Sequence, residues 1–257
     1  MSRKSFFVRR RDIEAIDVNY GNFSDRDLLP WLASVVSPWT GTFCIDTSER
    51  VAALTYDDGP NPVHTEEVLD VLGEFKARAT FFVLAQAAIR HPQTVSRARR
   101  EGHEIGLHGE DHTSILSMSG ASLVKMLSRS RSIVEAVAGE RIKYYRPPYL
   151  QYSWRQLPII RCLGLRLAMA SGGADDWIND AESSIARRAI SSLAPGAILV
   201  LHDDRADRDA VAAEDFPCFD RGAVTRQLLE NAKERGFRMV PYGELVSSAR
   251  KVTTIMF

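Results

Sequence analysis

From Val51 onward, short apolar runs alternate with longer segments whose apolar residues recur every three or four positions. Strands are predicted near Val51 to Tyr56, Thr80 to Leu84, Glu104 to Leu107, Tyr144 to Arg146, Leu165 to Ala170, Ala197 to Leu201 and Arg238 to Val240. Helices fill the intervals. Thr65 to Lys76 collects Val68, Leu69, Val71, Leu72 and Phe75 on one face, and Ser122 to Ala138 does the same with Leu123, Met126, Leu127, Ile133, Val134 and Val137. Gly102, Gly164 and Gly236 each stand between a helical run and a strand, where helix C-caps belong. This rhythm of strand then helix is that of a mainly parallel sheet or barrel. Residues 1–50 do not follow it, and their aromatics Phe6, Phe7, Tyr20, Trp31 and Trp39 suggest an N-terminal extension packed on the barrel or on a partner subunit. Residues 51–257 then form the barrel domain.

Composition narrows the choice of partner. The 257 residues are 45% hydrophobic and 26% charged, enough to bury a full core, and 33 basic residues balance 33 acidic ones. A chain without net charge does not gather nucleic acid or anionic lipid, so a small molecule or oligosaccharide fits better as a partner. No segment has the ~18 consecutive apolar residues of a membrane span. The basic start, MSRKSFFVRRR, meets Asp12 and Glu14 before any long apolar run, and three scattered cysteines (Cys44, Cys162, Cys218) suit a reducing compartment, so a cytoplasmic protein is expected. A homo-oligomer is left open. Asp203 to Arg221 holds seven acids against three arginines and reads as a solvated loop.

The polar residues that could do chemistry sit at the ends of predicted strands: Asp57 and Asp58, His108, Arg146 and His202. In a parallel barrel all strand C-termini open on one face, so these groups can converge. His108 and His112, four apart in LHGEDH, would share one side of a helical turn and offer two imidazoles to a divalent ion. Taken alone, such a pair is as well explained by two surface histidines. Adjacent aspartates in TYDDGP are costly to place together unless a cation or a proton separates their roles, although an Asp-Asp-Gly-Pro turn has structural uses of its own. Arg146 alone could be a rim salt bridge, and His202 an ordinary histidine at a strand end.

In combination, TYDDGPNP, LHGEDH, YRPPY at 145–149, DDW at 175–177 and LVLH at 199–202 resemble, in order, the motifs of the polysaccharide deacetylase family, also called the NodB-homology domain or carbohydrate esterase family 4. The resemblance spans roughly Val51 to Val240. It implies a distorted (β/α) barrel of about seven strands that removes an N-acetyl group from an amino sugar or a small saccharide-containing intermediate, giving acetate and a free amine. It implies one divalent ion on Asp58, His108 and His112, zinc first, with cobalt, nickel or manganese as alternatives. Asp57 would be the general base, Arg146 would hold it, and His202 would protonate the leaving amine. Tyr149 would lend its backbone N–H to the oxyanion hole, while Pro147, Trp177 and Leu201 would line the substrate pocket.

Three positions depart from that pattern. Gly173 stands where the family places an aspartate that pairs with the motif arginine, so either Asp175 or another acid takes that part or Asp57 is tuned differently; Gly109 replaces a hydroxyl residue; Leu150 replaces a glycine at the rim. Two rival readings follow: a deformylase or cyclic-amide hydrolase acting on a non-sugar substrate, and a catalytically silent carbohydrate-binding descendant.

Overall fold

The structure is a computed structural model that describes residues 6–9, 41–206, 216–248 and 250–255, with side chains described for 41–206, 216–248 and residue 251. Tyr20, Trp31 and Trp39, the side chains of Phe6 and Phe7, and the acids Asp207, Asp209, Glu214 and Asp215 of the predicted loop lie outside the described residues.

Two short strands, β1 (Phe6–Arg9) and β2 (Gly41–Asp46), precede the barrel. The barrel strands are β3 (Val51–Asp57), β4 (Thr80–Val83), β5 (Glu104–Leu107), β6 (Tyr144–Tyr145), β7 (Arg166–Leu167), β8 (Gly172–Gly173), β9 (Ile198–His202) and β10 (Arg238–Val240). Between them run α1 (His64–Glu74), α2 (Ala85–Arg90), α3 (Pro92–Arg100), α4 (Gly120–Ala138), α5 (Leu157–Cys162), α6 (Glu182–Ser191) and α7 (Arg221–Glu234). The chain closes with α8 (Tyr242–Ser248) and β11 (Arg250–Ile255). The barrel strands pair in parallel in the order β7-β6-β5-β4-β3-β9-β8, with β10 beside the start of β3.

Among the described residues no ladder joins β7 to β8, so the sheet is an open barrel. β2 enters that gap: Thr42 bridges Ala168, and Ile45 N–H donates to Gly196 O at 2.9 Å. Residues 41–46 thus pack into the barrel wall, paired on their other side with β11 in a three-stranded sheet of order β1-β11-β2. Among the described residues, no helix is long and apolar enough to cross a membrane.

Strand alternation builds the interior in layers, because successive side chains point to opposite faces. On β3, Ala52, Leu54 and Tyr56 join the core beneath the helices, whereas Val51 and Ala53 join Ile45, Ile198, Val240 and Tyr242 inside the barrel. Thr55 and Asp57 continue that inner row upward. Above this apolar layer, which α8 closes from below, the inner row turns polar toward the strand C-termini, where the open face lies.

The observed helices start one and two residues before the predicted bounds, and α1 stops at Glu74, two residues short of the predicted Lys76. α1 begins at His64 because Asn61 Oδ1 accepts from Val63 N–H and His64 N–H, at 2.8 and 3.0 Å. α4 begins at Gly120 because Ser119 caps it, accepting from Ser122 N–H at 3.2 Å. Gly102, Gly164 and Gly236 have φ of 86°, 75° and 71°, the left-handed backbone expected of helix C-caps.

Candidate functional site

Asp57 ends β3 inside the barrel, and Asp58 then turns with φ 77°, so the two neighbouring carboxylates take different directions. A non-glycine residue at such a φ costs of order 1–3 kcal/mol and persists where its surroundings over-determine it. His112, Tyr149 and Leu150 share this left-handed backbone, with φ of 68°, 59° and 55°. Among the described residues, four of the six non-glycine residues with positive φ therefore stand together around one pocket.

Asp58 Oδ1 lies 3.4 Å from both His108 Nε2 and His112 Nε2. Ligand atoms of these three buried residues all fall within 4.8 Å of one another. The residues fit a divalent ion on a further count: Asp58 Oδ1 is buried with no hydrogen-bond partner, which is costly unless a cation takes it up. His108 Nδ1 is 2.8 Å from Arg146 O, and donation there leaves the Nε2 lone pair facing Asp58. Burial raises the Asp58 pKa, but His108, His202 and His112 outweigh it and hold the carboxyl below the usual carboxylate range. The two imidazoles do not share a helical turn. Residues 108–112 form an irregular loop, and Gly109, with φ 105°, together with His112 bends the second ring back toward the first.

Arg146, at the end of β6, is fully buried beneath this cluster. Its Nη1 donates to Asp57 Oδ1 and to Thr55 Oγ1, each at 2.7 Å, its Nη2 donates to Met169 O at 3.2 Å, and its guanidinium lies 4.1 Å over the Phe82 ring. Asp57 is the carboxylate that neutralises it. Asp175 does not take that part: it is half exposed, 4.0 Å from Arg188, on the outside of the rim. The reason is local, since its φ of 49° reverses the chain and turns the next residue inward instead. That residue, Asp176, is buried and grips His202 twice, accepting from its backbone N–H at 2.7 Å and sitting 2.7 Å from its Nδ1. Burial opposes charge on His202, but Asp176 overrides it and pulls the pKa up to about 9.

The cavity over these groups holds about 490 Å³ and is walled by Tyr149, Leu150, Trp177 and Val200 as well as the polar set. Trp177 stands edge-on to His202, and the Tyr149 ring packs 4.5 Å from that of His112. Two expected wall residues are elsewhere. Leu201 faces the helices, because His202 points inward and a strand alternates, so Val200 takes its place in the wall. Pro147 is buried behind the loop rather than lining the cavity.

An open parallel barrel that brings a carboxylate-imidazole cluster, an arginine-held aspartate and a histidine on an aspartate into one cavity has the groups that hydrolysis of an acyl bond needs. The sequence model of the polysaccharide deacetylase family matches residues 45–168. A peptidoglycan-N-acetylglucosamine deacetylase of Bacillus cereus is 30% identical over 207 residues, 80% of this chain and 92% of that protein. A chitooligosaccharide deacetylase of Sinorhizobium fredii is 33% identical over 186 residues, 72% of this chain and 86% of that protein. The solved peptidoglycan deacetylase PdaC of Bacillus subtilis superposes with a TM-score of 0.67 at 26% identity, covering 79% of this chain and 93% of that structure. The match spans 41% of the length of full PdaC. The chain belongs to the polysaccharide deacetylase family.

Proposed function

We propose that the protein removes the acetyl group from the nitrogen of an amino sugar in a small saccharide or saccharide-containing intermediate, using one zinc ion held by Asp58, His108 and His112. The observation that carries this reading is the junction of three devices in one cavity: the ligand cluster, Asp57 tied to Arg146, and His202 tied to Asp176. When bound, the ion supplies positive charge that polarises the amide carbonyl and acidifies water. Asp57 Oδ2, 3.9 Å from His108 Nε2, takes the proton from the attacking water. Arg146 keeps that carboxylate oriented. His202, kept protonated by Asp176, passes a proton to the nitrogen as the C–N bond breaks, so acetate and a free amine leave. Tyr149 offers its backbone N–H to the oxygen that becomes negative.

A short substrate suits a cavity of about 490 Å³ whose wall includes Leu150 and Trp177. A reducing, cytoplasmic setting suits the buried free thiol of Cys44 and the exposed ones of Cys162 and Cys218. A silent descendant is disfavoured because base, acid and ligand set are all present together. The test is acetate release from chitooligosaccharides and other N-acetylated small saccharides, compared with formate release from formamides, by the zinc-loaded chain. Turnover of the acetylated sugars alone is expected, and formamide turnover in its place would overturn the reading.

A further inference from the structure

The segment that leaves β9 makes contacts that neither acid nor base requires. Asp203 is buried, and both of its carboxylate oxygens are committed to the turn after β3. Oδ1 accepts from Gly59 N–H at 3.2 Å, and Oδ2 accepts from the Thr65 hydroxyl at 2.5 Å. That hydroxyl accepts in turn from Asn61 N–H at 2.7 Å, and Asp203 N–H donates to Asp57 O at 3.2 Å. Three residues on, Ala206 N–H donates to Asp58 Oδ2 at 3.1 Å. The approach is close enough that a Cβ on Gly59 would lie 2.1 Å from Asp203 Oδ2, so residue 59 has room for glycine alone.

Resting on the reading that Asp58, His108 and His112 hold an ion, we infer that Asp203, with Thr65 and the Ala206 N–H, is a positioning clamp that sets metal affinity by fixing Asp58. The clamp holds residues 57 to 65 from across the sheet and supplies the restraint that a left-handed Asp58 needs. Tying Oδ2 to Ala206 leaves Oδ1 as the single free oxygen, aimed at both Nε2 atoms. Asp203 is not itself a ligand, because its two oxygens are already taken up by Gly59 and Thr65. Groups that orient a ligand from behind are typically worth about 10- to 100-fold in metal affinity.

The test is the Kd for cobalt and for zinc, measured on metal-free protein by chelator competition, with melting of each metal-free variant as the check on folding. Asp203→Ala and Thr65→Val are expected to weaken binding about 10- to 100-fold. Thr65→Ser keeps the hydroxyl and should bind like wild type. Should Asp203→Ala fail to fold, the Thr65→Val and Thr65→Ser pair carries the comparison. Folded Asp203→Ala and Thr65→Val chains that hold cobalt as tightly as wild type would overturn the clamp while leaving the ion site intact. A His108→Ala chain that binds as tightly as wild type would remove the site, and the clamp with it.

Discussion

Both ends of the barrel bury histidines and carboxylates, yet they treat them in opposite ways. Where β5 and β6 begin, a groove of about 230 Å³ is lined by Arg78, Arg99, His103, Glu104, Glu140 and Glu244, among others. Their charges are paired or hydrogen-bonded: Arg78 with Glu244 at 2.6 Å, Arg99 with Glu140 at 2.8 Å, and Glu104 with the Thr80 hydroxyl and Gly243 N–H at 2.7 and 2.8 Å. His103 accepts from Ala79 N–H, and burial pushes its pKa down to about 4, that of a neutral structural imidazole. At the other end His108 is as deeply buried, but Asp57 and Asp58 outweigh burial and raise its pKa. Burial alone makes a quiet histidine. Carboxylates facing it with an oxygen left unpaired make a candidate ion site.

The sharpest way to separate the two ends is to strip the ion. Chelation should abolish turnover, and added zinc, cobalt or manganese should restore it, as read by acetate release; activity persisting in metal-free protein would erase the distinction. Next in size is Asp57→Asn, for which kcat should fall about 10²- to 10⁴-fold. Metal content should stay near one per chain, and its loss would mean that the two aspartates have exchanged roles.

A smaller effect comes from Asp176→Ala. Burial works against charge on His202, but Asp176, helped by Asp58 and Asp57, raises its pKa from 6.5 to about 9, so in the metal-free chain the stability from these contacts is full below pH 6.5 and fades as pH rises through about 9. Without the carboxylate, the alkaline limb of the kcat/KM profile should move toward neutral pH, and an unmoved limb would remove His202 from the role of acid. The smallest catalytic effect belongs to the opposite end. Glu104→Gln should cost about 1–3 kcal/mol of stability by denaturant unfolding and leave kcat/KM unchanged.

Much of this contrast can be read along the chain. The strands at Glu104–Leu107 and Arg238–Val240 match their predicted bounds, and the groups that converge are those the pattern puts at strand ends. Period-two alternation even carries the correction for Leu201: once His202 faces inward, Val200 does too. Other features depend on dihedrals that residue identity does not fix. Nothing in the pair Asp175-Asp176 says which carboxylate turns inward, because a φ of 49° at the first decides it. β2 reads as part of an extension, since its partners Ala168 and Gly196 lie over 120 residues away. The Asp203 contacts to Gly59 and Thr65, each about 140 residues distant in sequence, are invisible for the same reason.

The most direct test is an anomalous diffraction map of crystals grown with zinc or cobalt. A single strong peak is expected about 2.0–2.2 Å from Asp58 Oδ1, His108 Nε2 and His112 Nε2. A map with no peak among these atoms, or with Asp57 as the ligand in place of Asp58, would contradict the account.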